Sequence, residues 1–103
     1  MPLNDYAFIV FGPDYSDESI ALIQSPSQKT RIIGVNSLNK AEEIAVELVN
    51  DGVQLIELCG WFGPKGASRI IDAVGDKIPI GFVGHGPDSI ETMYKLFGPH
   101  QDH

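Results

Sequence analysis

The stretch Val53-Gln54-Leu55-Ile56-Glu57-Leu58-Cys59-Gly60-Trp61-Phe62-Gly63-Pro64-Lys65-Gly66 constrains the chain more than any other. A mostly apolar run, the composition of a buried strand, ends in a glycine-rich turn. Pro64 then suits the first position of a helix, where the N–H it lacks would have no partner anyway. Ala67, Ile70, Ile71 and Val74 follow at the spacing of a helix buried along one side, and Gly75 closes it. One strand, one turn and one helix are therefore written into residues 53–75.

The same unit recurs on both sides. Residues 30–35 predict a strand, and Ala41, Ile44, Ala45 and Leu48 make the next helical stripe. Ser37 or Asn39 can cap that helix; Asn39 and Glu42 have capping-box spacing, and Asp51-Gly52 ends it. Residues 78–83 predict a further strand, with Pro79 near its start. Asp88 is the expected cap of a last helix, Glu91 lies three residues on, and Ile90, Met93, Tyr94 and Phe97 form its stripe before Gly98-Pro99. An opening run, residues 6–11, is continuously apolar up to Gly12-Pro13 and predicts a strand buried on both faces. Residues 20–23 are ambiguous. They fit a short helix, or a strand pairing with 30–35 across Ser25-Pro26-Ser27-Gln28.

Strands alternating with helices imply parallel pairing through right-handed crossovers. The expected fold is α/β: a single small domain over residues 1–98, with a mostly parallel four- to five-stranded sheet and three main helices. Flavodoxin-like and partial (β/α)-barrel arrangements both satisfy the pattern. Residues 99–103 read as a flexible tail, and His100, Asp102 and His103 as polar tail residues rather than a metal site.

Composition narrows the partners. A chain of 103 residues supports one modest core. Formal net charge is −7 with no basic run, which disfavours nucleic acid. No apolar run reaches the roughly 18–20 residues of a membrane helix, and residues 1–5 lack the basic, then apolar start of a signal peptide. A single cysteine leaves no intrachain disulfide framework, so a cytoplasmic setting is expected.

In parallel sheets ligands bind beyond the carboxyl ends of the strands. The segments expected there are 12–15, 35–37, 57–66 and 84–88, all rich in glycine and polar groups. Glu57 shares a strand side with Cys59, Leu55 and Val53, and so interrupts an apolar row. Its functional reading is a general acid/base or ligand-holding carboxylate with a raised pKa, and its plainer reading a structural hydrogen bond. Cys59 becomes a candidate nucleophile if His85 approaches it, and is otherwise a small buried hydrophobe. His85, between Gly84 and Gly86, is open to a ligand and is a candidate for a proton-transfer role, which histidine suits as a residue type. Gly60, Lys65 and the start of the helix resemble a generic phosphate cradle, without the spacing of a P-loop. Trp61 and Phe62 at a loop tip call for cover from a ligand, from the loop around Gly84, or from another subunit. Asn36 and Ser37 complete the candidate ligand-binding set with Gly60, Trp61, Lys65 and Gly84.

The segments Ala7-Phe8-Ile9-Val10-Phe11-Gly12-Pro13-Asp14, Gly52-Val53-Gln54-Leu55-Ile56-Glu57-Leu58-Cys59-Gly60 and Phe62-Gly63-Pro64 resemble a family of small bacterial α/β proteins of unknown function. The resemblance spans most of the chain and implies no established activity, so it assigns no catalytic residue and no cofactor. Two functions are expected from the residues themselves. The first is a small-ligand-binding or self-associating module, a homo-oligomer with a possible small anionic ligand. The alternative is a lyase-, isomerase- or hydrolase-type enzyme with Glu57 and His85 exchanging protons.

Overall fold

The computed structural model describes residues 2–98. In chain order the elements are β1 (Asp5–Phe11), β2 (Ile20–Gln24), β3 (Lys29–Val35), α1 (Leu38–Asn50), β4 (Leu55–Leu58), α2 (Gly63–Val74), β5 (Ile80–Phe82), a 3-10 turn (Pro87–Ser89) and α3 (Ile90–Phe97). The strands form one sheet in the order β2-β3-β1-β4-β5. β3, β1, β4 and β5 run parallel, and β2 is an antiparallel edge strand. The ambiguous residues 20–23 are thus strand, folded back on β3 through the Ser25–Gln28 turn, where the Ser25 N–H donates to the Gln28 carbonyl at 2.8 Å.

The strand order explains where the helices lie. β3 to β4 and β4 to β5 step in the same direction across the sheet. Right-handed crossovers that step the same way lie on the same face. Accordingly α1 and α2 share one face, joined by Arg69 of α2, which donates to Asn39 Oδ1 at 3.0 Å and also reaches Glu42. Asn39 is engaged here and not as a cap; Ser37 caps α1, its hydroxyl accepting from the Lys40 N–H at 3.0 Å. The step from β1 to β3 runs the other way, and a helix there would have covered the second face. β2 occupies that connection instead. One-sided helices also occur in a barrel segment, but here β1 sits between β3 and β4, so the strand order is not sequential.

The core lies between the sheet and α1/α2. Ala7 and Ile9, Ile33 and Val35, and Ile56 and Leu58 alternate onto that face and meet Ala41, Ala45 and Leu48 of α1 and Ala67, Ile70 and Val74 of α2. Phe62, fully buried, fills the corner where β4 turns into α2. The opposite residues of the strands, Tyr6, Phe8 and Val10 on β1 and Leu55 and Glu57 on β4, are only half-buried. The expected burial of β1 on both faces therefore holds on one face only, because the second helix layer is absent there.

Several boundaries differ from expectation for local reasons. Val53 leaves the strand pattern and is buried under α1, its N–H donating to the Leu48 carbonyl, so it does not share the Glu57 side. Gly52, at φ 95°, makes the left-handed exit from α1. Asp88 lies inside the 3-10 turn, and Ser89 precedes α3 without a side-chain capping bond. No residue of α3 is buried, and its main packing is on the 3-10 turn just before it. No helix among the described residues is long and apolar enough to cross a membrane. The expected tail and its histidines lie outside the described residues.

Candidate functional site

Four parallel strands bring their following turns to one rim. Phe11 pairs with Val35, Ile9 with Leu58, and Leu58 with Phe82, so β1 and β3 end level with each other, and β4 and β5 end level two residues earlier. Each turn is pinned to its neighbour: Gly12 N–H to the Val35 carbonyl, Cys59 N–H to Ile9, and Val83 N–H to Leu58.

Glu57 projects onto the uncovered face. Its Oε1 accepts from the Tyr6 hydroxyl at 2.7 Å. Its Oε2 lies over Gly81 of β5, 3.4 Å from where a β-carbon would be, so a side chain at 81 would crowd it. The Tyr6 phenol is pushed up to about 12, by burial first and then by the hydrogen bond and negative charge of Glu57. Because the folded value exceeds the ordinary one, the neutral phenol's contribution to stability is fully present below pH 10 and is lost as pH rises towards 12. An ultraviolet phenolate titration is expected to show a late-ionising tyrosine in that window, absent in Tyr6→Phe. Persistence of that late step in the variant would assign it to another tyrosine.

Cys59 Sγ accepts from the Phe11 N–H at 3.3 Å, so the thiol sits in the strand end as a backbone acceptor. His85 is exposed and its ring lies against Gly60, Cε1 falling 3.3 Å from the position of a β-carbon there. Glu57 and His85 thus belong to the same end of the β4–β5 pair. Among the described residues no hydrogen bond joins Glu57, Cys59 and His85 to one another.

Trp61 takes its cover from a residue outside the expected list. Its ring stacks on Phe11, with centroids 3.8 Å apart and planes 4° from parallel, and meets Phe62 edge-on at 5.1 Å. Lys65 is exposed in the first turn of α2, and Gly84 has open space where a side chain would be.

Asn36 and Ser37 lie on the other half of the rim. Asn36 Nδ2 donates to the Tyr15 carbonyl at 3.0 Å, tying the turn after β3 to the turn after β1. Beside it is a cleft of about 240 Å³ lined by Tyr15, Ser16, Asp17, Gly34, Val35, Asn36 and Lys40, smaller than the roughly 300–1,000 Å³ of ordinary ligand pockets. Lys40 reaches across its edge to Asp17 at 3.0 Å, and the hydrogen bond it donates to that carboxylate raises the lysine pKa. Tyr15 falls in the segment 12–15 expected at the rim, whereas Asp17 and Lys40 carried no local signal, since only the order of β1 beside β3 makes them neighbours. Among the described residues no group of three or more His, Cys, Asp or Glu is placed to hold a metal.

These features define a two-layer α/β domain, with two helices on one face of a five-stranded, mostly parallel sheet. The chain belongs to DUF6506, a family of unknown function whose model matches residues 4–98. No curated protein and no solved structure matches it.

Proposed function

We propose that the protein is a self-associating module, in which a second copy covers apolar surface that its own helices leave open. One observation carries this reading. The connection that would lay a helix on the second sheet face is made by β2, while on α3 Ile90, Tyr94, Leu96 and Phe97 are 59–72 % exposed. Exposed apolar surface on this scale marks interaction sites in soluble domains. A domain this small buries a smaller share of its surface on folding than a large one, and association adds to that burial. The lone thiol of Cys59 supports a reducing, cytoplasmic setting for such a module. Light scattering over a range of concentrations is expected to give a mass above the 11.2 kDa of one chain. A strict monomer at every concentration would remove the reading.

A small-ligand site on the same rim is the second reading, and the Tyr6–Glu57 pair favours it. The carboxylate has one oxygen committed to a phenol and the other over a glycine on an uncovered face, which leaves room for a polar group of a ligand. A small anion would instead meet the turn before α2, beside Lys65 in the first turn of that helix. The enzyme alternative uses Glu57 and His85 as acid and base. A thermal-shift screen of metabolites tests all of these. A ligand at about 100 times its Kd adds about 2.7 kcal/mol. Glu57→Gln is expected to abolish the shift of any ligand held by the carboxylate, and to stop turnover if Glu57 carries the proton. An undiminished response in Glu57→Gln excludes the carboxylate as its holder.

A further inference from the structure

We propose that two copies join edge to edge through β2, antiparallel about a two-fold axis at Leu22, so that their sheets become one. This rests on the self-association reading, and adds the β2 edge as a surface and a second copy as its partner. All five residues of β2 are exposed, with Ile20 at 59 %, Leu22 at 54 % and Ile23 at 60 %. Monomeric proteins blunt such an edge with lysine, proline, a bulge or a very short strand. The opposite edge of this sheet is blunted in that way, since β5 has three residues and Pro79 immediately before it. β2 has none of these devices: its sequence is Ile-Ala-Leu-Ile-Gln, and its register with β3 is unbroken.

Charge points to a second copy as the occupant. A net charge of −7 makes like chains repel. Yet residues 19–28, the strand and its turn, form a run with no charged side chain. Two copies approaching there meet the least repulsion.

The backbone supplies the register. In an antiparallel pair alternate residues direct their N–H and C=O groups to the same neighbour. Ser25 bonds to Gln28, and the Gly34 N–H to the Ser19 carbonyl, so Ser19, Ala21, Ile23 and Ser25 serve β3. Ile20, Leu22 and Gln24 therefore face the free edge. The Ile20 N–H is already held by the Glu18 carbonyl at 2.9 Å. A two-fold axis at Leu22 matches what remains: Leu22 N–H to the Leu22 carbonyl of the other copy, and Gln24 N–H to the Ile20 carbonyl, each formed twice. It also sets Ala21 opposite Ile23 and makes one apolar row of Ile20 and Leu22 from both copies. A five-residue edge falls below the about 800 Å² per partner of a standard interface, so the dimer is expected to dissociate on dilution.

The test uses the full chain. Leu22→Lys sets two cations against each other across the axis and is expected to weaken dimerisation at least tenfold, with an unchanged circular dichroism spectrum. In a Cys59→Ser background, Leu22→Cys places two thiols opposite one another, at a Cα separation of about 5.5 Å, within disulfide reach. Ile20→Cys places its thiols about 14 Å apart along the pair, beyond that reach. Oxidation is therefore expected to cross-link the first variant and not the second. A wild-type dimer that survives Leu22→Lys and cross-links at neither position, or equally at both, overturns the β2 arrangement while self-association stands. A wild-type chain that is monomeric throughout overturns both.

Discussion

Phe62→Ala is expected to lower stability by about 3–5 kcal/mol, the largest loss from any single truncation in the chain. Phe62 is the bulkiest of the fully buried side chains. It sits where β4 turns into α2, under Gly66, whose β-carbon would fall 3.0 Å from the Phe62 Cβ, and edge-on to Trp61. Backbone closes that corner: Phe62 N–H donates to Cys59, and Gly66 N–H to the Phe62 carbonyl. The corner therefore cannot collapse to fill the cavity. A domain of this size has only about 5–15 kcal/mol in all, and each kcal/mol moves the melting midpoint by roughly 4–8 °C. The variant is expected to melt more than 10 °C lower and to shift its urea midpoint at unchanged slope. A loss under about 1 kcal/mol would mean that the ring is not part of the core.

Gly34→Ala is the second, expected to cost about 1–3 kcal/mol through overpacking. A β-carbon at 34 would lie 2.6 Å from Tyr15 Cγ and 3.0 Å from Ser19 Cβ, and one at Gly12 would lie 2.5 Å from Tyr15 Cε2. The two glycines form a flat seat for the Tyr15 ring, which in turn lines the cleft beside Asn36. The atom met at 34 is at the root of the ring and not its tip, so a small rotation does not relieve the clash. The ring is 39 % exposed and can be expelled, which bounds the cost. In a Tyr15→Ala background the same Gly34→Ala change is expected to be close to neutral at this contact, leaving only the Ser19 contact. That difference is the coupling a double-mutant cycle measures. Equal costs in both backgrounds would show that the ring does not occupy the seat.

The elements other than β2 were legible because each announces itself locally. The stripes of α1 and α2 face the core apart from Ile71, which is 41 % exposed, and the rim follows from parallel strands that run one way. The candidate site was legible only in part. Glu57 was recognisable as a carboxylate in a strand, but its partner Tyr6 is 51 residues away, and no local pattern names it. Trp61 was recognisable as a ring needing cover, whereas Phe11 as the cover depends on β1 lying beside β4. Residues 20–23 stayed ambiguous because four apolar residues satisfy either period; pairing with β3 decided between them.

What the sequence by itself determined is the type and order of the elements other than β2 and the direction of the parallel strands. These depend on apolar periodicity and turn chemistry within a few residues. What only the tertiary structure decided is the position of β1 between β3 and β4. That position sends both crossovers over one face, leaves the other without a helix from either crossover, and fixes which distant groups meet at the rim. The physical reason is that periodicity specifies which side of an element is buried, while its neighbour is chosen by packing and hydrogen bonding across the whole sheet.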